Sequence, residues 1–312
     1  MARSGLTFGA GTGSGRQTPA LVGDGAVLHC AKTVEAHDYD GYACTLALHP
    51  HHRRQAFAFK ALNIELAQVL ASAKKPSLAL MRFRWWRDAL SKLGLGSQSG
   101  ADSVPAHPVA RALDHSLGTA LISDTRPLLL NSVAAREDDA HLGADGVAQP
   151  PACDWLEAYG ERAYGSLLAA QLACAGLRTQ AAEDAASHVG AAQGIASLLA
   201  GLPAHLQSSR CYLPQDVCAQ HGVSPDSLTN SRRGGEDAVR EVVALADKRL
   251  NAARSLRKHL PQPARKMLLP AVGVGMSLSA IRRQRYNVFN AKPPGSMSKA
   301  FQLAVASTLG RY

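Results

Sequence analysis

The sequence predicts an all-α fold, and three observations carry the prediction. Apolar residues recur at helical intervals in several long segments, most cleanly Val239, Val242, Ala246, Leu250, Ala253 and Leu256. No segment alternates apolar and polar residues with period two over the length of a strand. Gly, Ser and Pro gather between the periodic segments, at residues 94–108 and 140–152, where connections between helices belong.

Residues 1–35 precede the first periodic segment. The stretch through Lys32 carries Arg3, Arg16 and Lys32, with Asp24 its single acid, and is rich in Gly, Ser, Thr and Ala. This composition predicts a disordered organelle-targeting segment, leaving residues 36–312 as one helical domain. The Gly9–Gly15 run has no preceding strand and the wrong glycine register for a dinucleotide, so it reads as linker.

From Tyr39 to Leu90 the pattern is helical. Phe57, Ala61, Ile64, Leu66 and Val69 mark one helix face, and Pro50 among His49, His51 and His52 opens the helix rather than building a metal site. The Trp85–Trp86 pair is expected half in the core and half at the surface. Val109–Ala135 resumes helical spacing. Trp155–Leu177 is apolar on more than one side, as a buried helix is, with Tyr159 and Tyr164 as candidate cavity-lining residues. Residues 234–260 form an amphipathic helix stopped by Pro261 and Pro263, and Lys266–Phe289 reads as a last core helix with Arg282, Arg283 and Arg285 at its end.

Composition bounds the function. With 312 residues and 46% hydrophobic content the chain can bury a large core. Its net charge of +10 favours an anionic neighbour, and no zinc finger or RNA-binding signature points to nucleic acid. The six cysteines contain no Cys-x-x-Cys pair and read as reduced core thiols. The weakly polar stretches Tyr164–Leu177 and Leu268–Ile281 are shorter than the ~18–20 residues of a membrane span, so a peripheral contact with an anionic membrane is expected instead.

His188–Pro214 is the most informative stretch. Its glycine- and alanine-rich helix with Gly190, Ala192, Gln193 and Gly194 runs into Arg210, Tyr212, Leu213 and Pro214. Together with Tyr39, Asp40 and Tyr42, Glu65-Leu66-Ala67-Gln68, Arg82-x-x-Trp85-Trp86 and the Tyr286-x-Val288-Phe289 exit, this order resembles the squalene/phytoene synthase family from about Tyr39 to Phe289. The resemblance implies a single-domain isoprenoid-synthase fold with a central cavity. Gln193, Arg210 and Tyr212 join the two tyrosines as candidate lining.

In that family two aspartate-rich motifs hold Mg²⁺ on a diphosphate. By register they fall here on Ala67 and Ala71 and on Gly201 and His205. None is a carboxylate, His205 is a poor ligand for a hard cation, and Pro203 is expected to interrupt the helix between the second pair. The acids Glu65, Glu137, Asp138 and Asp139 stand elsewhere and define the one alternative, a relocated metal site in an active prenyltransferase. The glutamate and glutamines tie the chain to a divergent branch of the family, typified by a mitochondrial complex I assembly factor. That likeness implies a non-catalytic protein on the matrix side of the inner membrane, without cofactor, acting on an assembly intermediate or membrane-arm subunit of complex I.

Overall fold

Helix α8, Gln180–Gln207, is the axis about which the rest packs, because it is small and apolar on nearly every side. A computed structural model describes residues 25–73, 75–95, 104–142, 147–292 and 295–312. In chain order the helices are α1 (Gly25–His37), α2 (Tyr39–Leu46), α3 (Pro50–Ser72), α4 (Pro76–Ser91), α5 (Pro108–His141), α6 (Cys153–Gly160), α7 (Ser166–Cys174) and α8. They continue with α9 (Gln215–Gln220), α10 (Pro225–Ser231), α11 (Glu236–Ser255), α12 (Gln262–Met267), α13 (Pro270–Arg283) and α14 (Ser296–Thr308). Among the described residues the only extended pairing is one bridge, Ala148 with Arg210. The expected all-α class is what the chain adopts.

Two apolar clusters meet along α5 and α7. One gathers α6, α8, α11, α12 and α13 around Leu156, Ile195, Leu199, Val242 and Leu268. The other gathers α1, α3, α4 and α5 around Phe57, Leu62, Phe83 and Leu113. All five apolar positions read from the α3 sequence are buried, and Trp86 is buried while Trp85 is 40% exposed.

Several expectations need correction. Residues 25–35 are not disordered: α1 begins at Gly25 and buries Val27, Cys30, Ala31 and Val34, a helical spacing with enough apolar surface to hold the segment on α3 and α5. Residues 1–24, which carry the rest of the expected targeting segment, lie outside the described residues. Pro203 does not interrupt α8, because its ring removes one N–H donor while the helix is held by packing on both sides of it. Lys266–Phe289 is not one helix: it splits into α12 and α13, and Arg285 and Tyr286 follow at φ 52° and 64°, left-handed values that end helical winding. Length and mean hydropathy do make α8 long enough to cross a membrane, although most of it is buried inside the bundle.

Trp155–Leu177, expected as a single helix, is α6 and α7 joined by a π turn at Glu161–Gly165, and the winding ends at Cys174. The extra residue lets Gly160 and Gly165 both face α8, where they meet Gly190 and Gly194 backbone to backbone. A Cβ on Gly190 would lie 2.2 Å from the Gly165 nitrogen, and one on Gly194 would lie 2.5 Å from the Gly160 Cα. The glycines of the His-x-Gly-x-Ala-Gln-Gly run therefore serve helix contact. The Ser132 hydroxyl on α5 donates to the Ala163 carbonyl inside the turn at 3.0 Å.

Candidate functional site

One face of α8 carries Gln193, Ala196, Ser197 and Ala200, at steps of three and four, and borders a cleft open to solvent at Ser197 and Ala200. With Asp38, Lys60 and residues of α13 they line this cleft of about 180 Å³. A second recess of about 30 Å³, lined by Lys60, Asn63, Tyr164 and Gln193, adjoins it through the shared residues. Further along α8 come Gly201 and His205, and there the space is filled.

The filling is specific. The His205 imidazole folds back over Gly201, so that a Cβ at position 201 would lie 2.5 Å from its Nε2. The same ring meets Tyr212 edge-on at 4.8 Å. Tyr212 donates its hydroxyl hydrogen to the two oxygens of Asp139 at 2.8 and 3.0 Å. Arg210 closes the ring, donating from Nη2 to an Asp139 carboxylate oxygen at 2.5 Å and from Nε to the Tyr212 oxygen at 2.8 Å. Asp139 is 2% exposed, so this pairing offsets a desolvation cost that an unpaired carboxylate would bear in full.

One turn earlier on α5, Arg136 is buried as well. It donates to the Tyr159 hydroxyl and, from Nη2, to Asn63 Oδ1 at 3.1 Å. Its guanidinium carbon lies 5.2 Å from the ring centres of both Tyr159 and Tyr164. Tyr159 in turn stacks on Trp155 at 5.0 Å. Electrostatics follow from this inventory of two guanidiniums and one carboxylate. Burial pulls the His205 pKa below its usual value; Asp139 opposes the shift, while Arg210 and Arg136 add to it. Burial also pushes the Tyr212 and Tyr159 hydroxyls up. The pocket thus holds neutral His205 and Tyr212 beside fixed positive charge.

The sequence-predicted residues part company here. Tyr164 and Gln193 line the clefts, whereas Tyr159 and Tyr212 are buried in the interior and the half-buried Arg210 lies against Tyr212 and Asp139. Gly201 and His205 belong to the filled region. Ala67 and Ala71 are exposed and do not line the recess: they lie on the same side of α3 as Lys60 and Asn63, at steps of three and four, but one and two turns beyond the stretch that borders it. Asp139 and Arg136 complete the site, and a signal for them existed: Leu129, Ser132, Arg136 and Asp139 share one face of α5 at helical spacing.

The acids that define a relocated metal site are dispersed. Glu137 pairs with Arg87, Asp138 pairs with Arg162 at 2.5 Å, and Glu65 lines a surface groove with Trp85 and Arg82. Among the described residues no three His, Cys, Asp or Glu side chains converge. Magnesium requires oxygen donors, but Asp139 is already held by Arg210 and Tyr212, and of the two carboxylates lining the cleft Asp38 accepts from the Gly41 N–H while Asp40 pairs with Lys299. The residues present do not fit the metal that the fold family uses.

Fold and site together define the class. Residues 34–299 match the squalene/phytoene synthase family, and the chain belongs to it. Within that family it is 35% identical over 263 residues to the NADH dehydrogenase (ubiquinone) complex I, assembly factor 6 homolog of Drosophila melanogaster, covering 83% of this chain and 76% of that protein. It is 32% identical over 282 residues to the Homo sapiens complex I assembly factor 6, covering 89% and 81%. Among solved structures, a dehydrosqualene synthase in complex with ligand superposes with a TM-score of 0.72 at 17% identity over 91% of this chain and 95% of its own. A squalene synthase from Alicyclobacillus acidocaldarius superposes at 0.68 with 18% identity, over 84% and 95%. At those identities the structural likeness concerns the fold.

Proposed function

We propose that this protein is a non-catalytic assembly factor for respiratory complex I, a pseudoenzyme that keeps the shell of an isoprenoid synthase and has filled its metal site. The observation that carries the reading is the His205 ring lying where a side chain at position 201 would have to stand, locked by Tyr212, Asp139 and Arg210. Ionising a prenyl diphosphate needs the leaving group's charge neutralised, and each metal supplies several kcal/mol of that stabilisation. At ~1.36 kcal/mol per tenfold in rate, the loss of such sites removes many powers of ten. Size argues the same way: a cleft of about 180 Å³ is below the ~300–1,000 Å³ of ordinary ligand pockets. The names of the relatives supply the role, and their 32–35% identity over most of the chain supports carrying it across.

In this reading the protein works in mitochondria, on the matrix side of the inner membrane, during biogenesis of the membrane arm, and its partner is an assembly intermediate or one of the arm's subunits. Residues 1–24 would then hold the targeting segment. Deletion of the gene followed by native-gel inspection tests the role: complex I should be lost while the other respiratory complexes persist, and re-expression should restore it. Intact complex I in the deletion strain refutes the assembly role. Condensed product from farnesyl or geranylgeranyl diphosphate and Mg²⁺ with purified protein refutes the loss of catalysis.

A further inference from the structure

A cavity larger than the α8 cleft lies outside the bundle interior. It is a groove of about 620 Å³ between α11, α13 and α14, and five of its lining residues are Arg254, Arg257, Arg282, Arg283 and Arg311. One acid, Asp247, lines it and pairs with Arg282. Arg254 spends its Nε on the main-chain oxygen of Tyr312 at 3.2 Å, leaving its Nη groups. Gly275 makes room for that guanidinium: a Cβ there would lie 3.2 Å from Nη2. Arg257, Arg283 and Arg311 have no carboxylate partner among the described residues. Such crowding of guanidiniums in one concavity is favourable only beside anions.

Helix α14 forms one wall of the groove and carries a second, independent feature. Ser298 and Gln302 look into the groove, whereas Met297 and Phe301, one position earlier on each turn, are 87% and 72% exposed. Val305 and Leu309 continue the same row at steps of four, 38% and 57% exposed. The helix is not loose: its opposite face buries Leu303 and Ala306 against Cys44 and Leu269, and Lys299 binds Asp40 at 2.7 Å. A fixed helix therefore holds an apolar row beside a basic groove.

We propose that the α11–α13–α14 face is a docking surface for an anionic phospholipid bilayer, with lipid phosphates in the arginine groove and the Met297–Phe301–Val305–Leu309 row in the interfacial layer. An acidic protein or a free phosphate accounts for the arginines alone, and an apolar peptide accounts for the row alone. A bilayer bearing anionic headgroups presents both chemistries side by side. The inference deepens the membrane-side placement proposed above.

Its test uses purified full-length protein and flotation with vesicles. Vesicles of phosphatidylcholine containing phosphatidylglycerol should carry the protein upward at low salt and release it as salt rises past about 0.1 M, where the Debye length is ~10 Å. Pure phosphatidylcholine should not. Arg257→Glu with Arg311→Glu should lower partitioning by at least about 25-fold, at roughly fivefold for each ~1 kcal/mol per basic residue. Phe301→Ser with Met297→Ser should lower it about tenfold or more at unchanged charge. Thermal melting checks that both variants fold; Met297, Phe301 and Arg311 are exposed and Arg257 is half-exposed. The proposal is overturned by equal binding to neutral vesicles, by binding that neither variant weakens, by failure to bind anionic vesicles, or by a dimer in sedimentation that Phe301→Ser dissolves. Flotation needs no complex I and the deletion test needs no vesicles, so either reading can fail while the other stands.

Discussion

The middle and the C-terminal end of α8 do opposite work with similar residues. Toward its middle, Gly190 and Gly194 bring the main chain against Gly160 and Gly165, and nothing but backbone fits. Toward its C-terminus, Gly201 leaves an equal gap, yet here a side chain, His205, occupies it. The first preserves the architecture shared with the synthases. The second is a packed junction of His205 with Tyr212, Arg210 and Asp139. A glycine in a helix thus has two meanings, close approach of a neighbouring backbone or room for a side chain of its own helix, and only the surrounding atoms tell them apart.

The sharpest way to break that contrast is at the packed junction. Arg210→Ala leaves Asp139 buried without its cation and should destabilise the protein by about 3–5 kcal/mol in denaturant titration. Removing both charges with Arg210→Met and Asp139→Leu should return most of that loss, because no ion is then stranded. Tyr212→Phe, which strips one hydroxyl from the same ring of bonds, should cost about 1–2 kcal/mol. If Arg210→Ala is neutral, the junction is loose and the space at Gly201 is open to a ligand.

In the middle of the helix, Gly190→Ala should cost about 1–3 kcal/mol or more, since its Cβ has only main-chain atoms to displace. Gly273→Ala on α13 is the matched control: a Cβ there meets nothing within 4 Å, and helix propensity predicts a gain of up to ~1 kcal/mol. Equal effects at the two positions would show that α8 is not set by backbone contact.

How far the sequence could be read follows the same division. Helix α11, with one wet face, was legible because burial there follows a single period, and in α3 the periodic half from Ala61 to Val69 was legible too, although Ala56–Phe59 are buried all round. The π turn was not, since one inserted residue shifts a face without changing composition. At the site, Gly201 and His205 were legible by counting back from Tyr212-Leu213-Pro214. Asp139 and Arg136 were not recognised as its partners, because they arrive from α5, about 70 residues away, in a run of charges that looks solvated. The apolar row of α14 was missed too: Met297, Phe301 and Val305 repeat like a core stripe, and sequence does not say that the core lies on the other side.

A pH titration of stability probes the junction more gently. His205 in the folded protein has a pKa below the ordinary value near 6.5, so the unfolded chain binds the extra proton more readily. Its contribution is complete above about pH 6.5 and is lost progressively as pH falls from there toward the folded pKa, at no more than ~1.4 kcal/mol per pH unit. His205→Phe should flatten that part of the curve, leaving the share owed to other half-buried histidines whose pKa is lowered by burial, such as His52 and His107.

The smallest effect is expected from rebuilding the metal grip. Gly201→Asp alone must displace the His205 ring, whereas Gly201→Asp with His205→Asp restores two carboxylates one turn apart on an intact helix. Even so, Arg210 and Arg136 remain beside them, fixed by Asp139, Tyr159 and Asn63, and supply positive charge where the cation would sit. Millimolar Mg²⁺ should therefore raise the melting temperature of the double variant no more than that of the parent protein. A metal-dependent rise confined to the double variant would mean that two substitutions alone separate this junction from a working cation site, and that the arginines are passengers rather than its replacement.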